Sequence, residues 1–216
     1  MTKEYPFSPE IYDAWYQTAR GSWIADQEFS ALLKLFTPKA GQTLLDIGSG
    51  SGYFSQRFSQ LAINVTGLDI SNEMNIYATA SSKGISYIQG DALALPFADN
   101  SFDYCSAITS LCFVANPEQA LAEMWRVSRK AVILGLLNRH SLLYYMKRNS
   151  KGYQGARWDE LKTVRKWSNN LIPTANLSFR SAVWLPGGGE FSRLIEYIAP
   201  NQYPYAGFLA LALIKE

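Results

Sequence analysis

Two cysteines, Cys105 and Cys112, and one histidine, His140, are all that 216 residues contain of these types. Two thiols fit neither a disulfide framework nor a zinc site. They read as buried, reduced thiols of a cytoplasmic protein. No stretch reaches eighteen apolar residues, so no transmembrane helix is expected. The opening MTKEYPFSPE lacks the apolar core of a secretion signal. A large excess of either charge is lacking too. A net +2 is too small to imply nucleic acid or an anionic membrane as the partner, although it leaves room for a local basic patch. Repeats and low-complexity tracts are absent. What remains is ordinary: 48% hydrophobic and 18% charged residues, in a length that suits one domain with a full core.

The first forty residues read as helix. Ser8 and Pro9 make a cap and first turn, and Ala25, Phe29, Leu32, Leu33 and Phe36 recur at helical spacing until Thr37-Pro38-Lys39-Ala40-Gly41 breaks it. Strands and helices then alternate. TLLDIG (43–48) is a short apolar run suited to a buried parallel strand, YFSQRFSQLA (53–62) is helical, and INVTGLDI (63–70) is a strand followed by Ser71 as N-cap. ISYIQGD (85–91) and FDYCSAITS (102–110) are the third and fourth strands. Asn116-Pro117-Glu118-Gln119 opens a helix with a cap residue, a first-turn proline and a glutamine three residues on. That helix turns Leu121, Met124 and Trp125 inward and is expected to end on Arg126, Arg129 and Lys130, which suits its dipole. AVILGLLN (131–138) is the fifth strand. This rhythm predicts βαβ units, a mostly parallel sheet and helices on both faces.

The tail is less regular. Residues 139–155 are basic and aromatic and read as a loop with a helical piece over the sheet edge. Trp158, Leu161, Val164 and Trp167 predict a helix, NLSFRSAVW (176–184) alternates as a strand, LPGGGE (185–190) is a flexible turn between strands, and GFLALALIKE (207–216) is a closing strand.

The stretch LLDIGSGSGYFS (44–55) carries the chemistry. Gly48, Gly50 and Gly52 lie between a strand and a helix, where a backbone without Cβ atoms can turn sharply and approach a ligand. The spacing is G-x-G-x-G, and Tyr53 occupies the third-glycine place of the dinucleotide fingerprint G-x-G-x-x-G. Asp46 precedes the first glycine by two residues. A carboxylate there opposes a pyrophosphate and suits a ligand with a cationic amino group. Asp69 closes VTGLDI seventeen residues after Gly52, where an acidic residue can accept from both hydroxyls of a ribose. Asp91 ends the third strand, within GDALALPFADNSFDYC (90–105), and could accept from an adenine amino group.

LLDIGSGSG, VTGLDIS, GDALALPFADNSFD and EMWRVSRKAVILG, in this order and spacing, resemble the class I S-adenosylmethionine-dependent methyltransferases, in particular the small-molecule group called type 11. The resemblance covers roughly residues 40–138. It implies a Rossmann-like seven-stranded α/β sheet of order 3-2-1-4-5-7-6, mostly parallel with the last strand antiparallel. It also implies one domain over 1–216: an N-terminal helical lid (1–40, with YDAWYQTARG), a cofactor-binding core (41–138) and an acceptor-side segment with closing strands (139–216). The cofactor implied is S-adenosyl-L-methionine. By position, Asp46 and Ile47 with the loop of Gly48, Ser49, Gly50 and Gly52 would hold the methionine moiety, and Asp69 the ribose. Ile70 and Met74 would pack on adenine, Asp91 and Ala92 would read its edge, and Thr109 and Ser110 would face the sulfonium and the acceptor. The family often has Lys-Pro-Gly-Gly before the fifth strand, where this chain has SRKAVILG.

Methyl transfer from a sulfonium needs alignment and exclusion of water more than a catalytic dyad. A base is needed only for an acceptor that still carries its proton. His140, after the fifth strand, is either that base or a surface histidine beside Arg139. Tyr12, Trp15 and Tyr16 recur one helical turn apart and could cover the cationic sulfur or merely pack the first helix. Arg20 could bind the cofactor carboxylate or lie in solvent. Cys112, near the expected pocket, has no second motif to support it as a nucleophile. The PGGG at 186–189 lacks the Lys-Ser/Thr of a phosphate loop. Trp184 and the other tail aromatics (Trp158, Trp167, Phe179, Phe191, Tyr197, Tyr203 and Tyr205) suggest an apolar acceptor cavity, or else a closing core or dimer face. The expected partner is therefore a small-molecule acceptor, with no nucleic acid and no membrane, on a monomer or homodimer. Two alternatives are a nicotinamide-dependent oxidoreductase and a non-catalytic cofactor-binding module serving another protein.

Overall fold

The computed structural model describes residues 8–215. Residues 1–7 of the expected lid and Glu216 of the expected closing strand lie outside the described residues. In chain order the elements are α1 (Pro9–Gln17), α2 (Ala19–Leu33), β1 (Thr43–Ile47), α3 (Tyr53–Ser59), β2 (Asn64–Asp69), α4 (Asn72–Ser81), β3 (Ser86–Gln89), β4 (Phe102–Ile108), α5 (Pro117–Val127), β5 (Ser128–Leu137), α6 (Leu142–Lys147), α7 (Leu161–Ser168), β6 (Ala175–Ala182), α8 (Glu190–Ile198) and β7 (Phe208–Lys215).

The seven strands form one sheet of order β3-β2-β1-β4-β5-β7-β6. All pairs from β3 to β5 are parallel, and β7 runs antiparallel to both β5 and β6. The expected Rossmann-like architecture and strand order are what the chain adopts. Because β6 therefore runs the same way as β5, the carboxyl ends of β1, β2, β4, β5 and β6 all open at one end of the sheet. Ligands of such sheets bind at that end.

Alternation along β5 divides the core. Ala131 and Ile133 join the face covered by α2 and α3, with Phe29, Leu32 and Phe58. Val132, Leu134 and Leu136 join the face covered by α5 and α7, with Leu121, Met124, Trp125 and Val164. Successive strand side chains point to opposite faces, and burying each large one contributes about 1.5–3 kcal/mol. Glu28 sits in the first of these layers. Burial pushes its carboxyl up to about 8, partly offset by Arg57, so near neutrality it rests there mostly uncharged.

Two helix starts carry the expected side-chain caps, Ser71 accepting from Met74 N–H and Asn116 from Gln119 N–H, whereas Ser8 stands at the N-cap of α1 before Pro9 without a side-chain hydrogen bond. Some expectations fail locally. α5 ends at Val127, and Arg129 and Lys130 lie in β5, where they reach the Asp103 carboxylate at 3.3 and 3.1 Å. Pairing with β4 outcompetes a longer helix there. The glycine turn at 186–189 leads not into a strand but into α8. Trp158 precedes α7 and packs edge-on against Tyr144.

Candidate functional site

The strand β1 ends on Asp46 and Ile47, and the chain then turns through Gly48 with φ +67°. Both Gly48 N–H and Ser49 N–H donate to the Leu68 carbonyl, at 2.7 and 3.1 Å, which ties the loop to the end of β2. A Cβ on Gly48 would lie 2.4 Å from Ser110 Cβ, so glycine is required where the β1 and β4 ends meet. Ser110 Oγ donates to the Ile47 carbonyl at 2.6 Å. Thr109 precedes it in the left-handed region, φ +52°, with its N–H on the Gly135 carbonyl at 2.8 Å. That is a strained setting for a β-branched residue. Gly52, also left-handed, starts α3, and a Cβ there would strike the Tyr87 hydroxyl.

The two aspartates stand at the ends of neighbouring strands. Asp46 is buried, and its oxygens accept from Ser55 Oγ at 2.6 Å and Ser106 Oγ at 2.7 Å. Burial pushes its carboxyl up to about 6, the two serine hydroxyls hold it down, and the nearby Asp69 raises it further. Asp69 accepts from Gly50 N–H at 2.8 Å and Ser71 N–H at 2.9 Å. Its carboxyl is also raised by burial, against the pull of these backbone donors. Among the described residues no lysine, arginine or histidine pairs with either carboxylate. On the same loop, Ser49 Oγ is buried with no hydrogen-bond partner and stands 2.9 Å from where a Cβ on Gly67 would lie. Two neighbouring uncompensated carboxylates and an unpaired hydroxyl fit a ligand that brings a cation and hydroxyl groups.

The helix α1 lies over this loop. A Cβ on Gly50 would be 3.5 Å from Tyr12 Cε1, and Ser51 Oγ donates to Asp13 at 3.3 Å. Tyr12 and Tyr16 hydroxyls meet at 2.9 Å, Tyr16 stacks on Tyr53 at 3.8 Å, and Trp15 meets Tyr16 edge-on. Tyr16 is buried in the core layer as a result.

The remaining expected residues are more scattered. Ile70 is exposed beside Asp69, Met74 is buried in α4, and Ala92 packs against the α5 layer. Asp91 is exposed and accepts from Leu93 N–H at 2.9 Å. Arg20 is drawn away to the glycine turn, where its Nε donates to the Pro186 carbonyl at 2.6 Å. Trp184 follows β6; its N–H donates to Glu196 and its indole N–H is buried without a partner. His140 has an exposed side chain 3.4 Å from Glu160. Cys112 is buried and pushed up to about 12 by that burial, which makes it inert as a nucleophile near neutral pH. The tail aromatics do not close a single cavity: Trp167 belongs to the core, while Phe191, Tyr197, Tyr203 and Tyr205 are exposed.

Sequence reasoning missed Ser55, Ser106, Asp13, Tyr53 and Asn75. Ser106 sits opposite Asp46 in the β1–β4 register, which no local pattern announces. Ser55 falls on the first turn of α3 and reaches back nine residues. Asn75 donates to the Asp69 and Ser71 carbonyls at 3.0 and 2.9 Å, fixing the turn after β2. Its place one turn after a predicted N-cap is the one signal that could have found it.

The chain is similar to known proteins. The family described as "Methyltransferase domain" matches residues 45–135. Over 103 residues the chain is 35% identical to a malonyl-[acyl-carrier protein] O-methyltransferase of Pectobacterium atrosepticum, a match over 48% of this chain and 41% of that protein. It thus spans well under two thirds of that relative's length. An uncharacterized protein of Methanocaldococcus jannaschii is 35% identical over 212 residues, 95% of this chain and 96% of that one. Among solved structures, a SAM-dependent methyltransferase of Thermotoga maritima shares the fold with a TM-score of 0.74 at 24% identity, covering 96% of each chain.

Proposed function

The chain belongs to the type 11 group of class I S-adenosylmethionine-dependent methyltransferases, and from that premise we propose that it moves a methyl group from S-adenosylmethionine to a small molecule. The observation that carries the reading is the pair Asp46 and Asp69 at the ends of neighbouring strands beside the glycine loop, neither paired with a cation among the described residues. A pyrophosphate would add to that negative charge; an ammonium relieves it. The nicotinamide alternative is disfavoured on the same ground.

In this reading Asp46 and the loop of Ile47, Gly48, Ser49, Gly50 and Gly52 hold the amino-acid end of the cofactor. Ser49 Oγ, buried and unpaired, has its donor free for the ligand. Asp69 takes the ribose hydroxyls, its orientation set by Gly50 and Ser71 N–H. Ile70 and Met74 flank the base, and Asp91 with Ala92 reads its edge. The cofactor would supply a sulfonium methyl that is already activated for in-line displacement. The protein's own work is alignment and exclusion of water. Tyr12, Trp15 and Tyr16 cover the loop, and Thr109 and Ser110, locked against Gly48 and Ile47, face the acceptor. His140 is the group available to take a proton from a hydroxyl acceptor, with Glu160 orienting it. Trp184 marks the acceptor side, and its unpaired indole N–H can donate to a polar atom of the acceptor. Relatives matching the cofactor-binding stretch are named for malonyl-[acyl-carrier protein] and for demethylmenaquinone. The acceptor is accordingly decided by segments outside that stretch.

Calorimetric titration of wild type and Asp69→Ala with S-adenosylmethionine, S-adenosylhomocysteine and NADH tests the reading. Both sulfur ligands should bind and NADH should not. Loss of the charge-assisted hydrogen bonds should cost about 1.5–3 kcal/mol, roughly ten- to a hundredfold in affinity. Binding of NADH, or of none of the three, overturns the proposal.

A further inference from the structure

The near-neutral net charge conceals a local excess. Residues 139–151 hold Arg139, Lys147, Arg148 and Lys151 and no carboxylate, in a chain whose total is +2. This stretch follows β5 at the ligand end of the sheet. Its helix α6 is anchored from below: Leu143 is buried, with its side chain 2.9 Å from where a Cβ on Gly207 would stand, and Tyr144 packs on Trp158. With Leu143 inward, Leu142, Tyr145 and Met146, at i, i+3 and i+4, form an outward stripe, 45%, 70% and 58% exposed. Arg139 pairs with Glu160 at 3.7 Å, but among the described residues neither Lys147 nor Arg148 meets a carboxylate; Arg148 lies over the Tyr144 ring at 5.2 Å.

A second exposed group adjoins the first. Asn138, at the end of β5, donates to the Pro204 and Ala206 carbonyls at 2.9 and 2.8 Å. This holds the 199–207 loop beside α6, and there Tyr203 and Tyr205 are exposed. Tyrosine rings and aliphatic tips interspersed with the cations Lys147 and Arg148 match the composition of a surface that lies at a lipid headgroup layer. Rings with one apolar and one polar end favour that depth, and cations favour an anionic leaflet. Two copies meeting here would set the same cations against each other. A nucleic-acid backbone would leave Leu142 and Met146 with nothing to cover them.

We infer that this rim, α6 with the 203–205 loop, docks on an anionic phospholipid surface, so that the acceptor side of the sheet opens toward the bilayer. The contact is peripheral: no helix among the described residues is long and apolar enough to cross a membrane. The corollary, an apolar acceptor taken from the lipid phase, rests on the transferase reading; the vesicle contact does not.

Co-sedimentation of the full chain with vesicles of phosphatidylcholine alone, and of phosphatidylcholine with phosphatidylglycerol, tests the inference. Binding should be strong to the anionic vesicles and weak to the neutral ones, and should fall at high salt. Lys147→Gln with Arg148→Gln should weaken it about fivefold for each charge. Tyr145→Ser with Met146→Ser should weaken it about tenfold or more at unchanged charge. Circular dichroism and S-adenosylhomocysteine affinity of both double variants should stay at wild-type values. Equal binding to both vesicles, binding to neither, or anionic binding that neither double variant alters overturns the inference. So does capture by polyglutamate with no vesicle binding, which would assign the rim to an acidic protein, or self-association abolished by Tyr145→Ser with Met146→Ser, which would assign it to a second copy. If wild type binds anionic vesicles but not S-adenosylhomocysteine, the rim stands and the transferase reading falls.

Discussion

At the ends of β1 and β2 both oxygens of each carboxylate are engaged by the protein, and every donor to them is on a neighbouring turn or strand. Beyond β5 and β6, tyrosines stand in solvent, an indole N–H is buried with no partner, and among the described residues Lys147 and Arg148 meet no carboxylate. The two regions share one sheet and one end of it. The first is preorganised: its backbone is set before any ligand arrives, as a site for a ligand of fixed shape should be. The second is built on irregular segments, where contacts can change without disturbing the core. The comparison teaches that the preorganised and the irregular surfaces are separated along the sheet, with Thr109 and Ser110 at the join.

The second region has a rigid joint of its own, and breaking it should give the largest effect. Arg157 reaches Asp159 at 2.7 and 3.2 Å and the Leu111 and Val114 carbonyls at 3.1 Å each, pinning the loop after β4 to the stretch after β5. Arg157→Ala strands the buried Asp159 carboxylate and should cost about 3–5 kcal/mol in urea unfolding. A loss under about 1 kcal/mol would show this side to be loose throughout.

Glycine substitutions sharpen the contrast next. Gly48→Ala places a Cβ against Ser110 at a positive φ; it should cost about 1–3 kcal/mol of stability and most of the S-adenosylhomocysteine affinity. At Gly189 a Cβ would meet nothing within 4 Å. Gly189→Ala should cost no more than about 1 kcal/mol, mainly through the weaker N-cap of α8. Equal effects at the two positions would erase the distinction.

Proton linkage at Asp46 is a smaller effect with a definite sign. Its carboxyl is raised by burial to about 6, so the folded chain keeps a proton that the unfolded chain releases. The stability this group contributes is full below its ordinary value and is lost as pH rises to about 6. A cationic ligand prefers the ionised form, so affinity for S-adenosylhomocysteine should rise about tenfold from about pH 5 to about pH 7 and then level. Asp46→Asn should flatten that profile; an unchanged profile would take Asp46 out of the ligand's field. The smallest effect belongs to the exposed face of α8. Tyr197 is 88% exposed, and Tyr197→Ser should shift unfolding free energy by no more than about 0.5 kcal/mol.

Much of the cofactor side was legible because its signals are local. Gly48, Gly50 and Gly52 between a strand and a helix, Asp69 at a strand end, and caps at Ser71 and Asn116 each act within a few residues. The strand periodicity needed only neighbours along the chain. The region beyond β5 was not legible for the opposite reason. α8 hid behind a glycine turn, Arg20 went to Pro186 instead of the loop, and the tail aromatics split between core and surface. Each of these is decided by residues more than a hundred positions away or by what the sheet leaves uncovered.

By itself the sequence determined the alternation of strands and helices, the layers they bury and the residue types at the glycine loop. These follow from backbone sterics and hydrophobic periodicity, which are properties of short segments. Only the tertiary structure decided that Ser55 and Ser106 clamp Asp46, that α1 lies over Gly50, and that α6 and the 203–205 loop share one rim. Those depend on strand register and on the antiparallel return of β7, which bring distant residues together without leaving a mark in any local pattern.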